Sequence, residues 1–299
     1  MERRVTPAER RERLRAILRG AECVHPATVF DPLSARLADE AGFALGVIPG
    51  SVAAAVVLGA PDLVLLTLTE FAEQVRRTAR YSKLSIIADA DHGYGNALNA
   101  MRAVEEMETA GASAVTLEDT LLPAAYGMAK EEMMSAAEMS GKLRAAVGAR
   151  SDVSLVIVAR TNALRTSNLG DAVERLKAYE QTGVDAVMLV GAKEMREVEA
   201  VAKAVRLPMV LGGTPSGGAL EDREALAQLG VRVAFQGHLP FLAALRAMQE
   251  TMQHLASGGS PAALKDKVAS EEFLGSTVRR GEYARLQQEY LGAAAPKRA

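Results

Sequence analysis

Eight short apolar runs alternate along this chain with longer amphipathic stretches, and that alternation restricts the fold more than any other feature. The runs are residues 24–29, 44–48, 84–88, 114–117, 155–159, 186–190, 208–211 and 231–235. Between them, apolar residues recur at helical spacing. Residues 96–110 put Ala100, Ala103, Val104, Met107 and Ala110 on one stripe, and Gly111 follows where a helix stops. Residues 170–182 and 193–205 behave in the same way. Strands that alternate with helices form a parallel sheet covered by helices. Eight such units are the number that closes a barrel. An open dinucleotide-binding sheet needs Gly-x-Gly-x-x-Gly after its first strand, where this chain has Phe30-Asp31-Pro32-Leu33-Ser34. The sequence therefore predicts an α/β fold: a single (β/α)8 TIM-type barrel over residues 1–255, with a short surface helix at the N-terminus. A polar break, Ser257-Gly258-Gly259-Ser260-Pro261, separates it from a helical tail over 256–299. The tail carries Phe273, Leu274, Tyr283, Leu286 and Tyr290, too apolar a set to stay solvated, and it is expected to dock on the barrel or on another subunit.

Composition excludes several classes of function. The 299 residues are 49% hydrophobic, enough for a large core. A net charge of −2 provides no bulk field for nucleic acid or membrane, and 4% aromatics without tryptophan gives no base-stacking platform. The single cysteine, Cys23, forbids an internal disulfide and suits a reducing, cytoplasmic setting; near the first strand it reads as buried filler. The first 19 residues interleave Arg with Glu2, Glu9 and Glu12, unlike a targeting peptide. Residues 42–61 carry no charge, but Pro49, Gly46, Gly50 and Gly59 favour a strand, a turn and a small-residue helix over a membrane span.

In such barrels the chemistry gathers at the carboxyl ends of the strands. Strand two ends at Gly50-Ser51, strand three at Asp89 and Asp91, and strand four at Glu118-Asp119. Strand five ends at Arg160-Thr161-Asn162, and strand eight at Gln236-Gly237-His238. Carboxylates ending two adjacent apolar strands are costly unless paired, hydrogen-bonded or holding a metal. An all-oxygen set of that kind suits a hard cation such as magnesium. Asp89 is the expected ligand, with Asp91 and Glu118 in the metal's shell and Asp119 either supporting them or bonding backbone. The bland alternatives are a helix cap for Asp89 and solvated loop acids for Asp91 and Glu118. Arg160 fits a planar fork on a substrate carboxylate, the alternative being a structural ion pair with Glu118 or Asp119. His238 lines the site or caps the last barrel helix. Ser51 is an N-cap or offers its backbone N–H to a ligand. His25, His92 and His254 have weaker cases. A 2-keto acid would chelate such a cation, which would stabilise the charge that develops as a neighbouring bond breaks.

The stretch Asp89-Ala90-Asp91-His92-Gly93-Tyr94-Gly95-Asn96, followed by Glu118-Asp119 and Ala159-Arg160-Thr161, resembles the isocitrate lyase/phosphoenolpyruvate mutase superfamily. The resemblance runs from about Phe30 to His238. Phe30-Asp31-Pro32, Gly50-Ser51-Val52, Leu121-Leu122-Pro123 and Gly237-His238 look most like its oxaloacetate decarboxylase branch. It implies a magnesium-dependent decarboxylase, with manganese as a possible substitute, acting on a small 2-keto acid. By matching position, Asp89 would contact the metal, Asp91 and Glu118 would hold its waters, and Gly50-Ser51, Arg160 and His238 would bind substrate. Asp62 falls at a further site position. The resemblance also implies a homotetramer, a dimer of dimers whose C-terminal helices are swapped between subunits.

The superfamily's carbon–carbon lyases carry a cysteine in the loop after strand four, and residues 120–130 here contain none. The decarboxylase branch tends to carry a tyrosine after strand seven, where this chain has Gly212-Gly213-Thr214-Pro215. The competing functions are a lyase or phosphonomutase using the same site and a non-catalytic barrel that binds phosphate. Residues 120–130 are the expected lid.

Overall fold

The computed structural model describes residues 4–214 and 218–292. Pro215 of the loop after strand seven lies outside the described residues, as does the end of the tail beyond 292. The strands are β1 (Ala27–Thr28), β2 (Leu45–Ile48), β3 (Ser85–Asp89), β4 (Ala114–Glu118), β5 (Val156–Thr161), β6 (Ala186–Val190), β7 (Met209–Gly212) and β8 (Val231–Ala234). They form one parallel sheet in sequential order, and a parallel bridge between Val24 and Val233 joins the first strand's lead-in to β8. This is the expected (β/α)8 barrel, with strand ends within a few residues of the sequence reading.

Successive side chains of a strand face opposite ways, so each strand feeds two cores. One face packs outward on the helices, where Ile86, Val115, Ile157 and Leu189 meet Phe71, Met107, Leu143 and Tyr179. The other face fills the barrel with Val47, Ile87, Val158, Met188 and Val210, joined by Leu14 and Leu18 of the N-terminal helix Pro7–Arg19.

That helix corrects the sequence expectation of a surface helix. Leu14 is 1% exposed and Leu18 8% exposed, so the helix inserts its apolar face into the barrel. Its arginines look solvated in sequence, but Arg10 and Arg11 are buried. Arg11 donates to the carbonyls of Ala112 and Glu108, and Arg15 to those of Ser154 and Val153. These carbonyls lie in the loops that lead into the strands or, for Glu108, in the last turn of the helix before β4, so the helix closes the amino-terminal end of the barrel.

The chain divides into two compact units, residues 5–239 and residues 240–292 together with Arg4. The helix Leu239–Ala256 falls in the second unit, whereas the sequence reading sets it with the barrel. None of its residues is buried, and Leu242, Leu245, Met248 and Met252 are exposed. The rest of this unit includes the 3-10 helix Pro261–Lys267 and the helices Glu271–Thr277 and Arg280–Leu291, the last two packing on each other. No helix among the described residues is long and apolar enough to cross a membrane.

Candidate active site

The inward residues of β3, β4 and β5 follow the period of two from the barrel interior upward. Ile87 leads to Asp89, Ala114 through Thr116 to Glu118, and Val158 to Arg160. Counting by two from an apolar interior residue thus delivers two acids and a guanidinium to one end. Glu118 is register partner to Arg160, and Thr116 to Asp89.

These groups surround a cavity of about 440 Å3 that is also lined by Ser51, Asp62, Asp91 and His238. Arg160 is the central cation. Its Nη1 lies 2.9 Å from Asp89 Oδ2 and 3.1 Å from Oδ1, and its Nη2 lies 2.7 Å from Glu118 Oε2. Thr116 Oγ1 donates to Asp89 at 2.7 Å, and Asn162 Nδ2 donates to Glu118 at 3.1 Å. The ion pair foreseen as the alternative for Arg160 is therefore present with Glu118 and also with Asp89. It does not involve Asp119.

Negative charge exceeds positive in this nest. Asp91 is held well above the usual carboxylate range, first by burial and then by repulsion from Asp89, Glu118 and Asp62. Burial likewise raises Glu118, with Arg160 opposing, and Asp62, with Asp89 adding to the effect. Burial would weaken the charge on Arg160, but Asp89, Glu118 and Asp91 outweigh it and keep the guanidinium ionised. His238 is lowered by burial against the pull of Asp89 and Asp62, so its ring is largely neutral near pH 7. Thr28 Oγ1 lies 3.2 Å from His238 Nδ1 and steadies the ring.

Local backbone aims these groups. Asp91 and Tyr94 occupy the left-handed region, at φ 47° and 60°, in the turn that follows β3. The Asp91 carboxylate makes no hydrogen bond among the described residues, and it lies hard against Gly50. A Cβ at position 50 would stand 2.5 Å from Asp91 Oδ1, so only glycine admits this approach. The helix Gly50–Leu58 starts here with Pro49 at its N-cap and no side-chain cap. Ser51 is therefore inside the first turn rather than at the cap, and the turn's N–H groups point out from the positive end of the helix.

Asp119 is not part of the cavity. It follows the inward Glu118 and so faces the helix layer, fully buried. There it accepts from Thr161 Oγ1 at 2.7 Å, Tyr179 Oη at 2.8 Å and Arg175 Nη1 at 3.3 Å. His25, His92 and His254 also lie outside the cavity lining. Cys23 is buried and its thiol is pushed up to about 11 by burial, consistent with inert filler. The loop after β4 is pinned at its base, where Thr120 bridges Met133 and Leu121 N donates to Glu132 O. It brings Leu122 and Glu131 to the cavity. Sequence reasoning missed Glu131, Met188, Phe235 and Arg165. Met188 was recoverable, because it is register partner to Arg160.

The donor set suits a hard divalent cation in both chemistry and charge: oxygen ligands only, a surplus of carboxylate, and in Asp91 an acid without a hydrogen-bond partner. As they stand, no three His, Cys, Asp or Glu side chains among the described residues form a ready metal cluster. Arg160 stands between Asp89 and Glu118.

The profile of the phosphoenolpyruvate phosphomutase family matches residues 14–256. An oxaloacetate decarboxylase of Bradyrhizobium diazoefficiens is 50% identical over 283 residues, covering 95% of this chain and 97% of that protein. Among solved structures, phosphonopyruvate hydrolase in complex with oxalate and Mg++ superposes with a TM-score of 0.84 at 28% identity, covering 96% of this chain and 100% of that one. Oxaloacetate acetylhydrolase in complex with the inhibitor 3,3-difluorooxalacetate superposes with a TM-score of 0.83 at 26% identity, covering 97% and 100%. Matched over residues 14–256 and 50% identical to a relative over nearly its whole length, this chain belongs to the phosphoenolpyruvate mutase/isocitrate lyase superfamily.

Proposed function

We propose that the protein is a divalent-metal-dependent oxaloacetate decarboxylase, a carboxy-lyase that converts oxaloacetate to pyruvate and carbon dioxide. The observation that carries this reading is the cluster of Asp62, Asp89, Asp91 and Glu118 around Arg160, in a cavity whose described lining holds no cysteine and no lysine. Without a thiol or amine, covalent routes through those groups have no nucleophile. The 50% identical relative named for this activity supports the same reading.

Asp89, Asp91 and Glu118 would hold the cation, magnesium with manganese as a substitute, which supplies a sink for the negative charge left when carbon dioxide departs. The chain's own residues bind and orient. Arg160, fixed from two sides, presents its guanidinium to a substrate carboxylate. The uncapped N–H groups at Gly50 and Ser51 donate to carboxylate oxygens. His238, held by Thr28 and mostly uncharged, and Asp62 complete the wall. No cysteine stands on the loop between β4 and the helix Ala136–Ala149, so water delivers the proton that completes pyruvate.

The same reading places the protein in the cytoplasm as a homo-oligomer, a dimer of dimers exchanging C-terminal helices. The exposed apolar side chains of Leu239–Ala256 support an assembly of that kind. Pyruvate release from oxaloacetate, assayed with Mg2+ and again after EDTA, tests the function. Activity should vanish with chelation and return with Mg2+ or Mn2+; turnover that survives full metal removal overturns the proposal.

A further inference from the structure

A second cation reaches this cavity, and nothing in the scheme above uses it. Arg165 lies in the one-turn helix Ala163–Thr166 that follows β5, and its side chain lines the same cavity as Arg160. Two glycines clear its path. A Cβ at Gly191, just after β6, would stand 2.8 Å from Arg165 Cγ, and a Cβ at Gly213, just after β7, would collide with the Arg165 guanidinium. The side chain therefore runs along the ends of β6 and β7. In a sheet closed in sequential order, β7 lies across the mouth from β3, which carries Asp89. The Arg165 guanidinium makes no hydrogen bond and no ion pair among the described residues. The other cavity arginine, Arg160, is engaged with two carboxylates.

A guanidinium with no partner among the described residues, opposite a carboxylate cluster, divides the cavity by charge. The acid side, with a cation, suits the keto-acid end of a substrate. The Arg165 side suits a second anionic group on the same molecule. We propose that Arg165 is the specificity residue that captures the distal carboxylate of a 2-keto dicarboxylate. The assignment rests on the decarboxylase reading and deepens it, because it explains how a diacid is preferred over a monocarboxylic keto acid.

The chemistry sets the direction of the effect. The distal carboxylate of oxaloacetate is the group that leaves as neutral carbon dioxide. An ion pair to it is strongest before the bond breaks and fades as charge moves to the keto end. Such a contact assists capture and does not accelerate the step. Removing it raises KM and leaves kcat unchanged or higher.

Two probes separate the ends. Oxalate carries only the portion that matches the keto-acid end, whereas 3,3-difluorooxaloacetate also carries the distal carboxylate. Calorimetry with Mg2+ would compare both on the wild type, Arg165→Gln and Arg165→Lys, with thermal midpoints confirming the fold. Arg165→Gln is expected to weaken difluorooxaloacetate by about 10- to 100-fold, the loss typical of one charge-assisted contact, and to leave oxalate within about twofold. Arg165→Lys should recover part of the loss. KM for oxaloacetate should rise in parallel, without a fall in kcat. Equal weakening of both probes, or no change in either, overturns the assignment. If the wild type binds neither probe in the presence of Mg2+, the decarboxylase reading itself fails and takes this assignment with it.

Discussion

The two ends of the barrel treat charge in opposite ways. At the amino-terminal end, the acids Asp152 and Asp185 are matched by arginines. Asp185 accepts from Arg15 at 2.9 Å, from Arg150 at 2.6 Å and from the Ile157 N–H at 2.9 Å, and Arg11 meets Asp152 at 2.6 Å. The remaining guanidinium N–H groups of Arg11 and Arg15 are spent on carbonyls of the lead-in loops. At the carboxyl end four acids crowd one engaged arginine, and three of them, Asp62, Asp91 and Glu118, are pushed toward the neutral form. A matched end is what stability selects; an unmatched end stores repulsion that a ligand can relieve. The difference supports the proposed site at the carboxyl end without reference to any relative.

Substitutions at the two ends should therefore differ in kind. The largest effect is expected at the upper end: Asp89→Ala should lower oxaloacetate decarboxylation by roughly a thousandfold or more in a steady-state pyruvate assay. Retention of a tenth of the activity would remove Asp89 from the machinery. Next comes the plug at the lower end. Leu14→Ala should cost about 3 kcal/mol in urea unfolding while kcat holds, because it empties a fully packed position. Asp185→Ala should cost a similar or slightly smaller amount, about 2–3 kcal/mol, by stranding two arginines. A large loss of kcat in either folded variant would break the division between the ends. Asp91→Asn should act with the opposite sign: in EDTA its thermal midpoint should rise, since it removes a repelled charge that has no hydrogen bond. A fall would show that the carboxylate is paired in the free protein.

The smallest effect concerns pH at the lower end. Asp152 is held down at about 2, chiefly by the Ser154 hydroxyl and then by Arg11. A depressed folded-state pKa means that its contribution is complete above the unfolded value near 3.9 and is lost as pH falls through about 2. Its side chain is 30% exposed, so solvent screening keeps the gain to about 1 kcal/mol or less. The stability difference between wild type and Asp152→Asn, followed from pH 6 to pH 2, should shrink toward the acid end.

Much of the barrel was legible because its strands are buried on both faces and read as short continuous apolar runs. The positions of Asp89, Glu118 and Arg160 followed from the same runs, since each closes one. The facing of Asp119 was also available: a residue next to an inward Glu118 must point outward. Other features were hidden for physical reasons. The arginines of Pro7–Arg19 resemble a solvated face, and their carbonyl acceptors carry no mark in sequence. Arg165 sits on a single helical turn, too short for periodicity, and the glycines that make room for it lie on two other strand ends. The pairing of Arg160 with both Asp89 and Glu118 depends on neighbouring strands in register, which a linear reading reaches only once the barrel order is known.

The plug has a consequence for synthesis. Pro7–Arg19 is made before every strand it touches, and the partner of Arg15, Asp185, follows 170 residues later. At about 5–20 residues per second, the helix waits roughly 10–30 s for that anchor. Over that interval its apolar side, Leu14 and Leu18, has no finished barrel to enter. The end of the barrel that this helix closes therefore stays open until the strands on which it packs are complete.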